Sequence, residues 1–249
     1  METGEGVMIG GFIITGNDPK RVIIRGIGPS MTSVGVNGAV SDPILRLFSA
    51  SGSPLAVNDN WQDTQRADIE QTGLQPSDPR ESAIIATLAP AAYTATVSAA
   101  NGSNGVGLVE IYDLTSTNNS KLGNMSTRGS VQTAENVMIG GFILSGTNLN
   151  PGKVVVRAIG PTLGQSGITN PLSNPSLSLF DSNGQLVGLN DNWQDDANQA
   201  NQLLSLNLAP QNAAESAIVA ILPPGQYTAV VGGQNGGTGI GLIEVYSIR

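Results

Sequence analysis

Apolar and polar residues alternate along much of this chain. In Tyr93-Thr-Ala-Thr-Val97, Tyr93, Ala95 and Val97 fall on one side and the threonines on the other. Tyr227, Ala229 and Val231 repeat the pattern. A period of two, with one wet and one dry face, is that of a strand in an antiparallel sheet. The same reading predicts strands over Val7–Thr15, Arg21–Ile27, Ile44–Ser49, Pro54–Asn58, Ser82–Leu88, Ala92–Ala99 and Gly105–Asp113. Turn residues punctuate them: Gly16-Asn-Asp-Pro19, Gly28-Pro29, Ser51-Gly52 and Asn101-Gly102. The helical candidate is the stretch after the tryptophan, Asp63–Thr72, repeated as Asp196–Leu206. It is at most a short surface helix.

The pattern occurs twice because the sequence does. Val7-Met-Ile-Gly-Gly-Phe-Ile13 returns as Val137-Met-Ile-Gly-Gly-Phe-Ile143, and Asn58-Asp-Asn-Trp-Gln62 as Asn190-Asp-Asn-Trp-Gln194. Glu81-Ser-Ala-Ile84 returns at Glu215, and Gly105-Val-Gly-Leu-Val-Glu-Ile-Tyr112 at Gly239. The offset drifts from 130 to 134 residues, as two modules with small loop insertions require. A period this long means tandem domains, not a short-repeat solenoid. The expected organisation is all-β, with two tandem jelly-roll-like antiparallel β-sandwich domains. Residues 1–114 form the first module, 115–121 a polar linker and 122–249 the second module. Leu122–Gln132 reads as one extra strand with no counterpart in the first module, where Thr3 aligns with Thr133. The first module is therefore expected to lack its first strand and to carry an open sheet edge. Leu122–Gln132 and the N-terminal residues are the candidate segments for filling such an edge in a neighbour.

Composition narrows the function. The 249 residues carry a net charge of −8, and only 12% of them are charged. With three lysines (Lys20, Lys121, Lys153) and no basic run, nucleic acid and anionic membrane surfaces are poor partners. No run is long and apolar enough to insert into a membrane. There is no Cys and no His, which excludes thiolate and imidazole metal sites, Cys nucleophiles and a Ser-His-Asp triad. Low Lys with abundant Gly, Asn, Ser and Thr suits a bacterial extracellular or cell-surface protein.

Three constellations could carry chemistry. Asp59, Asn60 and Asp63 sit in one loop, and Asp191, Asn192 and Asp195 repeat them. Hard oxygen donors in a loop suit Ca²⁺; equally, Asp and Asn cap their own backbone in tight turns. Asp42 is an extra candidate ligand, replaced by Asn174 in the second copy. Trp61 and Trp193 either stack on a sugar or a partner, or fold over the sandwich to cover its core. Arg25, Arg157, Glu110 and Glu244 interrupt otherwise apolar strands. Charges there are expected to pair: Arg25 with Glu110 or Glu81, and Arg157 with Glu244 or Glu215. Gly10-Gly11 and Gly140-Gly141 lack the context of a phosphate loop and suggest a bulge or a close backbone crossing.

The stretch DPILRLFSASGSPLAVNDN, followed by LAPAAYTATVSAANGSNGVGLVEIY, resembles the bacterial pre-peptidase C-terminal domain family. NPSLSLFDSNGQLVGLNDN with LPPGQYTAVVGGQNGGTGIGLIEVY resembles it more closely. The resemblance implies a secreted, non-catalytic jelly-roll sandwich, often calcium-associated. It leaves out the Val-Met-Ile-Gly-Gly-Phe and Arg-Gly/Ala-Ile-Gly-Pro segments. The leading expectation is a non-catalytic extracellular structural protein that associates with copies of itself, or with neighbouring repeats, by β-strand addition. The alternative is a calcium-dependent carbohydrate-binding or adhesion module that recognises glycans through its Trp loops. No convincing nucleophile–base pair supports an enzyme.

Overall fold

The computed structural model describes residues 7–115, 119–145 and 151–248. Residues 1–6 and 116–118, which belong to the expected strand donor and to the expected linker, lie outside the described residues. The chain divides into two compact units between Met125 and Ser126.

In the first unit the strands are β1 (Met8–Gly16), β2 (Lys20–Ile27), β3 (Pro43–Ser49), β4 (Pro54–Asn58), β5 (Ser82–Leu88), β6 (Ala92–Ala99) and β7 (Leu108–Asp113). One helix, α1 (Arg66–Thr72), stands between β4 and β5. One sheet runs β1–β6–β3–β4 and the other β5–β2–β7. The neighbours with a defined register are antiparallel. The two sheets close on Phe12, Ile14, Leu45, Leu47, Tyr93, Ala95 and Val97 from one side and Val22, Ile24, Ile84 and Leu88 from the other. The alternation of β6 is the cause: Tyr93, Ala95 and Val97 are buried while Thr94 and Thr96 sit nearer the surface.

β2 does not alternate. Val22, Ile23 and Ile24 are all buried, because the β5–β2–β7 sheet is covered on both faces. Its outer face holds a second core, in which Ile23, Ala83 and Ile85 meet Trp61 and Ile69 of α1. The helix is short and superficial, as its sequence predicts, yet it buries Ile69 completely.

The second unit repeats the plan. Its strands are β9 (Met138–Leu144), β10 (Gly152–Ile159), β11 (Pro175–Asp181), β12 (Leu186–Asn190), β13 (Ser216–Leu222), β14 (Gly225–Gly233) and β15 (Gly239–Ile248). Its sheets run β12–β11–β14–β9 and β13–β10–β15. Helix α2 (Ala197–Ser205) covers the outer face of the latter, with Leu203 and Trp193 against Val155 and Ala217. Asp196 caps it by accepting from the N–H groups of Asn198 and Gln199 at 2.8 and 3.0 Å. Each module is thus an antiparallel β-sandwich.

Two glycine positions are needed where they stand. Gly52 and Gly184 close the β3–β4 and β11–β12 hairpins at φ +78° and +74°. A Cβ on Gly28 would lie 2.2 Å from the Val40 carbonyl oxygen, and one on Gly160 would lie 2.1 Å from that of Leu172. Gly10 and Gly140 sit in regular register rather than in bulges. Each makes room for a side chain of the facing sheet, Val109 and Ile243 respectively.

The expected module boundary is corrected. Instead of a linker ending at 121 and a second module starting at 122, β8 (Ser120–Val131) is one unbroken strand. The unit boundary falls inside it. Its first half belongs to the first unit because Leu122 and Met125 pack on that unit's sandwich core. Its second half belongs to the second unit, where Val131 is fully buried and lies against Gly241.

Candidate functional site

The arrangement of β8 leaves each module with one completed sheet and one incomplete sheet, and the two modules differ in which. In the first unit β8 lies beside β1 and extends the four-stranded sheet. In the second it lies beside β15 and extends the three-stranded sheet. Among the described residues, nothing pairs with the outer edge of β7 in the first unit or of β9 in the second. Equivalent strands therefore report what coverage does. Ile14 of β1 is buried, whereas its equivalent Leu144 of β9 is half-exposed. Ile139 and Ile143 of β9 are 57% and 61% exposed. Conversely, Ile243 and Val245 of β15 are buried, whereas their equivalents Val109 and Ile111 of β7 are half-exposed and Leu108 is 40% exposed. β15 runs from Gly239, but β7 begins only at Leu108, although Gly105-Val-Gly107 matches Gly239-Ile-Gly241.

The far edges of the three-stranded sheets are closed instead. Gln65 places its amide against β5, accepting from Ile85 N–H and donating to Ile85 O, both at 2.9 Å. Gln199 accepts from Val219 N–H on β13 at 2.8 Å. A side-chain amide here takes the place of a neighbouring strand's peptide group.

The Asn-Asp-Asn-Trp loops are turns locked by their own side chains. Asn58 donates to Asn60 O at 2.9 Å and accepts from Ala83 N–H at 2.8 Å, and Asn190 does the same with Asn192 and Ala217. Asn60 donates to Asp63 at 3.2 Å, and Asn192 to Asp195 at 3.4 Å. Of the residues read as candidate ligands, Asn60 is thus turned to Asp63, and Asn192 to Asp195. Among the described residues no three acidic side chains gather to hold a cation. Capping accounts for Asn60, Asp63, Asn192 and Asp195, which hydrogen-bond one another within the turns.

Equivalent buried oxygens lie beside the loop in each module, Asp42 in the first and Asn174 and Asp191 in the second. Asp42 Oδ1, Asn174 Oδ1 and Asp191 Oδ1 are buried without a hydrogen-bond donor. Desolvation raises the Asp42 pKa above the usual carboxylate range, and the charges of Asp59 and Asp78 add to the rise against the pull of Arg80. Arg80, hydrogen-bonded to Asp78, holds that carboxyl below its ordinary value.

Trp61 and Trp193 are 5% and 7% exposed and form part of the outer core. Neither indole offers a face to a sugar, which corrects their assignment as binding residues. Trp193 Nε1 donates to Asn212 O at 3.2 Å.

Each arginine stands directly opposite its glutamate: Arg25 faces Glu110 across β2 and β7, and Arg157 faces Glu244 across β10 and β15. Arg25 Nε donates to Glu110 at 2.9 Å, and a second nitrogen makes an ion pair to the same oxygen. Its remaining nitrogen donates to Leu74 O, just beyond α1, at 2.8 Å. Arg157 repeats this with Glu244 at 2.9 Å and Leu208 O at 3.0 Å. Tyr112 and Tyr246 lie under the guanidinium groups and donate to the glutamates. Burial, with Glu244 alongside, pushes the Tyr246 phenol up to about 12. Each pair ties the outer helical layer to its sheet.

The repeated Glu-Ser-Ala-Ile motif holds what the sequence reading missed. Glu81 and Glu215 are fully buried. Glu81 accepts from Gly28 N–H, Ser30 N–H and Ser30 O–H at 3.1, 2.9 and 2.6 Å, and from Asp78 N–H at 3.3 Å. Glu215 accepts from Gly160, Thr162 and Asn212 N–H groups. Ser82 donates to Pro43 O and Asp59 O. A buried carboxylate is tolerable when several donors face it. These glutamates thereby fix the Gly-Pro turn and the Trp loop together. The repetition of the motif was the available signal. Lys20, buried in β2 and paired with Asp113 at 2.5 Å, is a further charge that the sequence did not single out.

No family model matches the chain, and no curated protein does. Among solved structures, it aligns with a chain of the Sulfolobus turreted icosahedral virus at 11% identity and a TM-score of 0.26, covering 98% of this chain and 87% of that one. A putative secreted protein from Eubacterium rectale aligns at 9% identity and a TM-score of 0.22, over 95% and 68% of the two chains. PNGF-II aligns at 9% identity and a TM-score of 0.27, over 100% and 62%. Likenesses this faint carry no functional argument, and the β-sandwich assignment stands on the strand pairing itself. Among the described residues no helix is long and apolar enough to cross a membrane.

Proposed function

We propose that this chain is a non-catalytic structural module of an extracellular or surface assembly, joined to copies of itself or to neighbouring repeats by β-strand addition. The observation that supports this reading is that, among the described residues, no strand pairs with the outer edges of β7 and β9, whose equivalents β15 and β1 are covered by β8. An exposed row of backbone donors and acceptors flanked by apolar side chains is a template for another strand. Because the two open edges differ, the contact they favour is head-to-tail, and a head-to-tail contact that does not close propagates into a filament. The low charge, the lack of Cys and His and the resemblance to secreted sandwich domains agree with such a role. The glycan-binding alternative loses its residues, since Trp61 and Trp193 are buried.

Negative-stain electron microscopy of the purified chain, with and without EDTA, tests the proposal. Filaments or extended oligomers are expected in both conditions. Discrete single particles across the accessible concentration range would contradict it. Loss of filaments in EDTA would show that assembly requires a divalent cation.

A further inference from the structure

We infer that the outer edges of β9 and β7 are acceptor sites for a β8-type strand from a neighbouring repeat of like sequence: β9 takes its first half and β7 its second. This rests on the assembly reading and names the partner. The occupant is identified by the chain itself, because each open edge has an equivalent that a known segment already covers. Beside β1, the equivalent of β9, Leu122 and Met125 turn onto the sandwich core. Gly123 fits there because a Cβ on it would come within 2.8 Å of Thr15. The partner of β9 should therefore carry apolar residues at the Leu122 and Met125 positions and glycine between them.

Beside β15, the equivalent of β7, the fully buried Val131 lies against Gly241 so closely that a Cβ there would be 2.9 Å from its methyl group. The first module has Gly107 at the same place. Gly107 is buried, although among the described residues no strand pairs with the outer edge of β7. Val109 and Ile111 pack on their own module's core yet stay half-exposed at this edge, whereas their equivalents Ile243 and Val245 are buried. Main-chain pairing would provide the affinity, and these few side chains the register.

The test is a synthetic peptide with the sequence Ser120–Gln132, added to the full chain at a concentration where the chain is monomeric. Binding is followed by fluorescence anisotropy and located by amide hydrogen exchange. The peptide is expected to protect Met138–Leu144 and Leu108–Asp113 and to leave Met8–Gly16 and Gly239–Ile248 unchanged. A peptide with Leu122→Asp and Met125→Asp should lose protection at Met138–Leu144 and keep it at Leu108–Asp113. A Val131→Asp peptide should do the reverse. Each affected site should weaken about tenfold or more, the scale expected for burying a charge in an apolar slot. The substitutions lie in the peptide, so the fold of the chain is not at risk. No protection at either strand, or protection indifferent to these substitutions, overturns the inference. Filaments without peptide binding would leave the assembly reading standing and this inference refuted. Peptide binding at both edges of a chain that never assembles would do the opposite.

Discussion

Glu81→Ala is expected to destabilise the first module by about 4 kcal/mol, a loss larger than most single substitutions cause. The reason is the number of donors it would strand. The Glu81 carboxylate, itself fully buried, accepts from three backbone N–H groups and one hydroxyl. Each buried donor left without a partner costs roughly 1–3 kcal/mol, and relaxation of the Gly28-Pro29 turn recovers part of the sum. The loss would extend to the Trp loop, because Trp61 N–H donates to the Glu81 carbonyl at 2.8 Å. Trp61 emission should therefore shift to longer wavelength at a lower denaturant concentration. Glu215→Ala should do the same to the second module and to Trp193. A loss below about 1 kcal/mol in chemical denaturation would contradict the role given to this carboxylate.

The second large effect is Arg25→Met, expected to cost about 2–3 kcal/mol and to lower the melting temperature of its module by roughly 10 °C. Removing the guanidinium leaves Glu110 half-buried among Tyr112 and the sheet, and releases the Leu74 carbonyl beyond α1. The figure is set below that of a fully buried pair because the two side chains keep 16% and 20% of their exposure. Replacing both partners, Arg25→Met with Glu110→Leu, should restore most of the loss, since an apolar pair of similar volume needs no compensating charge. An unchanged melting temperature for Arg25→Met alone would remove the pair from the account.

The sequence made the sandwich legible where one sheet face is dry and the other wet. Tyr93, Ala95 and Val97 could be assigned inward from spacing alone, and so could their repeats. The pairing of Arg25 was half legible. A lone charge in an apolar strand demands a partner, but choosing Glu110 over Glu81 depends on the β2–β7 register, which the local pattern does not state. The fate of the tryptophans depended on α1. Trp61 is buried only because Ile69 and the outer face of β2 lie on either side of it, and Ile23 reads simply as one more apolar residue in a run. In the loop read as a calcium site, Asn60 and Asp63 hydrogen-bond each other across a turn, a pairing that the residue types alone do not state.

The division of β8 was the least legible feature. Its apolar residues, Leu122, Met125 and Val131, are sparse, and glycines at 123 and 129 interrupt any period. The strand is recognisable from the absence of a counterpart in the first module. That it serves one sandwich with its first half and the other with its second follows only from what each half packs against.

Amide hydrogen exchange on the dilute, monomeric chain tests the central claim most directly, because equivalent strands act as controls for each other. The account predicts that Met138–Leu144 exchanges faster than Met8–Gly16, and Leu108–Asp113 faster than Gly239–Ile248, each by about tenfold or more. The open edge would then be β9 in one module and β7 in the other. Equal protection within both pairs would show that β8 leaves no edge uncovered, and would contradict the account.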